Sequence, residues 1–134
     1  MTKSIRRKIE CRSERGQALT EFALVLPVLT LLLFAVIQFG IVFNNYVTLT
    51  DATRAGARKA AVGRQSADPV GDCQTAIRNS AKDLSSATLT ASCTSTWQPG
   101  ADVTVNATYP YQISLLGLVV KSGRLTSTTT ERVE

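Results

Sequence analysis

The 134-residue chain contains no histidine. That absence removes imidazole bases, Ser-His-Asp and Cys-His constellations and His-ligated metal centres at once. No glycine-rich phosphate loop is present, and Asp68, Asp72, Asp83 and Asp102 lack the paired spacing that hydrolytic acid-base work needs. Cys73 and Cys93 by themselves cannot close a zinc site. Aromatic residues make up 6% of the chain and are not interleaved with Lys and Arg, so a nucleic-acid surface is not expected. The expectation is a protein that is not an enzyme, with no metal, no cofactor and no small-molecule substrate.

Charge is also scarce over most of the length. Of the formal net charge of +5, residues 1–16 carry +4 (Lys3, Arg6, Arg7, Lys8, Arg12 and Arg15 against Glu10 and Glu14), leaving +1 for the remaining 118 residues. The basicity therefore belongs to an N-terminal tail and reads as topology control. Charge then vanishes altogether from Phe22 to Phe43. A helix over this run reaches roughly 33 Å, the thickness of a bilayer's hydrocarbon core. A buried core helix is the competing reading, but roughly 90 residues of remaining chain offer little apolar surface to cover all its sides. An ordinary secretory signal competes too, yet its apolar core is shorter, and the nearest small-x-small site, Ala55-Gly56-Ala57, lies a dozen residues beyond Phe43. The flanking cations place the N-terminus in the cytoplasm and the C-terminal part outside.

At the junction of tail and apolar run stands Arg15-Gly16-Gln17-Ala18-Leu19-Thr20-Glu21-Phe22. Gly16 is a poor helix former that leaves its backbone open to a protease. Glu21 is a carboxylate costly to hold near lipid and so in need of a partner. A basic leader ending in Gly, then four residues and Glu-Phe, resembles a prepilin peptidase site. The longer string Gly16-Gln-Ala-Leu-Thr-Glu21-Phe-Ala-Leu-Val-Leu-Pro27, followed by the apolar run and Ala52-Thr-Arg54-Ala-Gly56-Ala-Arg58-Lys-Ala-Ala61, resembles the TadE-like minor pilins (pseudopilins) of the tight-adherence (Tad/Flp) type IV pilus system. The likeness is close over about 50 residues and looser beyond, through Val103 to Tyr111, Leu115 to Leu118 and Leu125 to Val133.

That resemblance implies cleavage after Gly16 by an inner-membrane prepilin peptidase, leaving Gln17 as the new N-terminus, with Phe22 part of the recognised junction. It implies other pilins and the pilus assembly platform as partners, with the lipid bilayer as the holding environment and pilus assembly, and through it cell adhesion, as the role. The location implied is the inner (cytoplasmic) membrane, single-pass, with the C-terminal domain periplasmic or extracellular, and the pilus after assembly. Glu21 would pair with a neighbouring subunit's free α-amino group, neutralising two charges in one lipid-adjacent layer. The alternative is an unprocessed, signal-anchored extracytoplasmic binding module whose Glu21 merely reaches the headgroups.

Three regions follow: a cytoplasmic leader, 1–16; a long helix, 17–64, with the transmembrane part 22–43; and a small extracytoplasmic α+β domain, 65–134. Pro27, which lacks an N–H and crowds the carbonyl of Ala23, is expected to kink the helix, with simple toleration as the alternative. Ala52, Gly56 and Ala60 recur every four residues as a stripe of small side chains for helix packing, against the domain's own sheet or a partner. Gly63 and the polar run Arg64 to Gly71, including Pro69, are expected to form a loop, and Cys73, Ala76, Ile77, Ala81 and Leu84 share one face of a second helix over Asp72 to Ser85.

Leu89, Ala91, Cys93 and Trp97 mark a half-buried strand, Val103, Val105, Ala107 and Tyr109 a second after a Pro99-Gly100 turn, and Leu125 to Val133 a third. The class is α+β and type IV pilin-like, with a long N-terminal helix extending out of the membrane, a short second helix and a small antiparallel sheet. Cys11 falls in the leader, and an oxidising exterior favours a Cys73–Cys93 disulfide. The apolar stretch Ile113 to Val120, between two strands, is expected to cap the core, with contact to another subunit as the alternative. Asn106-Ala107-Thr108 matches a glycosylation sequon but carries little weight on a strand.

Overall fold

The computed structural model describes the backbone over residues 4–115 and 117–134, with side chains described from residue 16 onward in those ranges. The expected leader side chains, Cys11 included, and Leu116 of the apolar stretch lie outside the described residues. The class is α+β: a long helix α1 (Ser4–Ala61), a short helix α2 (Pro69–Ser80), and three strands, β1 (Thr90–Thr94), β2 (Asp102–Leu115) and β3 (Leu118–Arg132). They form one antiparallel sheet in the order β1-β2-β3. By its internal contacts the chain divides into two units, Met1–Ile37 and Gln38–Glu134.

In the first unit every described side chain is exposed, as a helix apolar on all sides must be when nothing in its own chain covers it. α1 continues through Pro27. Three residues on, the Thr30 hydroxyl donates to the Leu26 carbonyl at 2.8 Å, the back-bonding a serine or threonine makes inside a helix.

The second unit holds the core. The less exposed side of α1 runs Gln38, Val42, Asn45, Leu49, Ala52, Gly56 and Ala60, steps of three and four that keep one helix face inward. Leu49, Ala52, Ala57 and Ala60 join Cys73 and Ile77 of α2, Ala81, Leu84 and Leu89 of the connection, and Cys93, Val103, Val105, Ala107 and Val133 in a single buried cluster. At the end of α1 the Glu134 N–H donates to the Ala61 carbonyl at 3.0 Å, satisfying one of the orphan acceptors of a helix end. Arg58 and Lys59 lie in that last turn, where the helix dipole favours cations.

The second helix begins earlier than its apolar pattern indicates. Pro69, expected in the loop, stands in its first turn, and the Asp68 carboxylate caps it by accepting from the Gly71 N–H at 2.9 Å. Proline's fixed φ and missing donor suit that position. The helix stops at Ser80, so Ala81 and Leu84 are buried from the turn that follows it.

The strands are likewise displaced from their sequence patterns. β1 ends at Thr94, and Trp97 sits beyond it with φ +56°, packed against the core from a loop. β2 and β3 extend through the stretch Ile113 to Val120, which forms the closing end of their hairpin, with a bulge at Ile113/Ser114 and Gly117 at φ +84°. The expected core cap is corrected there: Leu118, Val119 and Val120 are 75%, 60% and 62% exposed. The reason is register, since each residue past Tyr111 steps the hairpin further from the buried cluster. Asn106 of the sequon points to the outer face and donates to the Thr128 hydroxyl across the ladder at 2.9 Å.

Candidate functional site

Two sets of residues carry the functional reading: the junction at Gly16 to Phe22, and the face on which α1 meets the domain. At the junction the chain is helical and every side chain exposed. The Thr20 hydroxyl donates to the Gly16 carbonyl at 2.9 Å, and the Gln17 side-chain amide donates to the Glu21 carboxylate at 3.1 Å. One helical turn thus brings together Gln17 and Glu21, with Phe22 next in line. A Cβ built on Gly16 would meet nothing within 4 Å, and its backbone is not left-handed. The fold therefore places no demand for glycine there.

Gly56 is the opposite case. A Cβ at that position would fall 2.5 Å from Ile77 Cγ1 and 3.4 Å from the Cys73 carbonyl oxygen. Glycine here lets α2 lie directly on α1, with fully buried Ala52 one turn before it and Ala60, 1% exposed, one turn after. The small-residue stripe is occupied within the chain, by α2 in particular; Arg54 and Arg58 are exposed beside it, Arg54 3.6 Å from Asp51.

The same two helical turns contain a polar contact that residue patterns do not reveal. Buried Thr53 donates to the Thr50 carbonyl at 2.8 Å and accepts from the Thr129 hydroxyl at 3.2 Å. Its oxygen is also 3.0 Å from that of buried Ser127, 74 residues away in sequence. With the single Thr53 proton on Thr50, Ser127 is the donor of that third bond. Among the described residues no buried side-chain polar atom lacks a partner. A threonine inside an alanine-rich helix, opposite a Thr-rich strand, is the one sequence signal that could have indicated this pin.

Cys73 of α2 and Cys93 of β1 are disulfide-bonded, with Cα atoms 6.5 Å apart. The bond closes a 20-residue separation and ties the helix lying on Gly56 to the sheet. Below the core, Ile41, Val42 and Asn45 of α1 face Tyr109 to Gln112 of β2 across an open groove of about 370 Å³, with Ser85 and Thr88 at its side. Tyr111 lies over Gly123 of β3, its cross-strand partner. The ionisable side chains among the groove's lining residues are the two tyrosines, Tyr109 and Tyr111.

One helix, among the described residues, is long and apolar enough to cross a membrane, and its far end is built into a disulfide-tied α+β domain. That combination defines a small domain carried on a candidate membrane anchor. The model of the family described as TadE-like protein matches residues 16–58, from the junction glycine through the arginine after the small-residue stripe. The TadE-like resemblance read from the sequence is supported over that stretch. No curated protein and no solved structure matches the chain.

Proposed function

We propose that this protein is a minor pilin or pseudopilin for assembly of a Tad/Flp-type pilus. A prepilin peptidase cleaves it after Gly16, and α1 holds it in the inner membrane, N-terminus cytoplasmic and domain outside, until it is incorporated or primes assembly with other pilins and the assembly platform. The protein is then the substrate of an enzyme and not one itself. The observation that carries this reading is the match to the TadE-like family model, which begins at Gly16. The fold accounts for Gly56 through Ile77, but gives no steric or conformational reason for Gly16, which is where the family match begins. A protease that accepts only the smallest residue before its scissile bond supplies that reason.

Glu21 fits the same scheme. In the present chain it accepts from Gln17. Cleavage turns Gln17 into the terminal residue with a free amine, and an amine of a neighbouring subunit then becomes the stronger partner for this carboxylate. Pro27, six residues beyond Glu21, weakens the helix where subunits slide past one another during extraction. The test is Gly16→Ala in the native host: the precursor should accumulate in the membrane fraction at full length. Normal conversion to the short form would remove Gly16 from the processing site.

A further inference from the structure

The contacts of the second unit order its hairpin along α1. Glu134 meets Ala61, Ser127 meets Thr53, and Tyr111, paired with Gly123, lies across the groove from Ile41 and Val42. Going down β3 from its end to its start therefore means going down α1 toward Gln38. The half-buried side of α1 agrees, since it reaches Gln38, five residues inside the apolar run that ends at Phe43. Beyond Gln112 the hairpin continues three more residues to Leu115, about 10 Å of strand with a bulge at Ile113/Ser114. There it turns and exposes Leu118, Val119 and Val120. From Gln112 to Arg124 there is no carboxylate, and exposed Lys121 and Arg124 follow the apolar triplet.

We infer that the closing end of the β2–β3 hairpin is a membrane-seating element: Leu118, Val119 and Val120 enter the surface of the leaflet from which α1 emerges, with Lys121 and Arg124 at its phosphates. The inference rests on α1 being a membrane anchor. Given that anchor, the apolar end of α1 from Gln38 to Phe43 lies in lipid, and a hairpin whose Tyr111 and Gln112 already lie level with Ile41 and Val42 brings its closing end to lipid as well. Three exposed aliphatic side chains followed by two cations have the composition of an interfacial element, in which apolar groups enter the acyl boundary and long basic side chains stay at the headgroups. The domain is then attached to the bilayer at two points and holds a fixed orientation on it before extraction.

The test uses the full chain in a Cys11→Ser background, leaving Cys73 and Cys93 joined, with a bimane label at Val119→Cys, Leu32→Cys or Thr130→Cys. All three positions are exposed, so the label does not enter the core. Each variant is reconstituted at high lipid-to-protein ratio in phosphatidylethanolamine–phosphatidylglycerol vesicles. At Val119 we expect strong quenching by nitroxides near the headgroup and iodide quenching several-fold weaker than at Thr130, with Leu32 quenched by deep nitroxides. Iodide access at Val119 equal to that at Thr130, with Leu32 still in lipid, overturns the inference while leaving the anchor in place. Leu32 open to iodide removes the anchor and the inference with it. Protection of Val119 from iodide without nitroxide quenching overturns it in favour of a second protein chain covering the hairpin.

Discussion

Ile77 of α2 fills the space that a side chain on Gly56 of α1 would need, its Cγ1 lying 2.5 Å from the position of a Cβ there. Gly56→Ala gains helix propensity of about 1 kcal/mol. The methyl must displace a fully buried isoleucine, however, and overpacking costs about 1–3 kcal/mol. Overpacking wins, and Gly56→Val should be worse. Trp97, the single tryptophan, is partly buried against the core, so its fluorescence on thermal unfolding of the full chain in detergent reports the domain directly. Gly40→Ala, inside the same helix but where a Cβ meets nothing within 4 Å, is the matched control: it gains the same propensity without the clash and should not lower the transition.

Thr53→Val keeps the shape of the side chain and deletes its oxygen. Ser127 and Thr129 then lose their shared acceptor, and burial leaves Ser127 no water in exchange. A loss of about 1–3 kcal/mol is expected in denaturant unfolding. Adding Ser127→Ala should recover part of it, because the orphaned hydroxyl is gone; a double mutant no better than the single one would show that the hydroxyls are not coupled.

The Cys73–Cys93 bond restrains 20 residues of the unfolded chain. Replacing both cysteines with serine, or reducing them, should lower stability by about 3 kcal/mol. Both thiols freely alkylated in purified protein without reductant would contradict the bond itself.

Glu21→Ala should leave membrane insertion intact, since the charge-free run is untouched, and impair pilus assembly in the native host. Normal piliation would count against pairing of Glu21 with a neighbouring amine.

Much of this architecture is readable from residue order, for identifiable reasons. The period-two pattern of Val103, Val105 and Ala107 marks β2 because one face of the sheet is dry and the other wet. The run Phe22 to Phe43 is unmistakable because nothing charged interrupts it. Ile113 to Val120 misleads because an uninterrupted apolar stretch has no alternation, and Gly117 is the sole mark of the turn within it. Pro69 reads equally well as a loop residue or as the first turn of a helix until the Asp68 cap is seen. Thr53 leaves only a faint sign, for a different reason: its partners lie 74 and 76 residues away and no local period connects them. At the junction the chemistry of Gly16 and Glu21 is legible because leader, glycine, carboxylate and apolar run are contiguous, whereas the groove at Tyr109 to Gln112 exists only once the hairpin lies along α1.

On the proposed reading the basic leader is removed and the chain works from Gln17 onward. N-terminal mass spectrometry of the protein extracted from native membranes decides the point. A mature start at Gln17 is the result expected; a start at Met1 or Thr2 in the mature population would contradict it and leave an unprocessed, signal-anchored domain in its place.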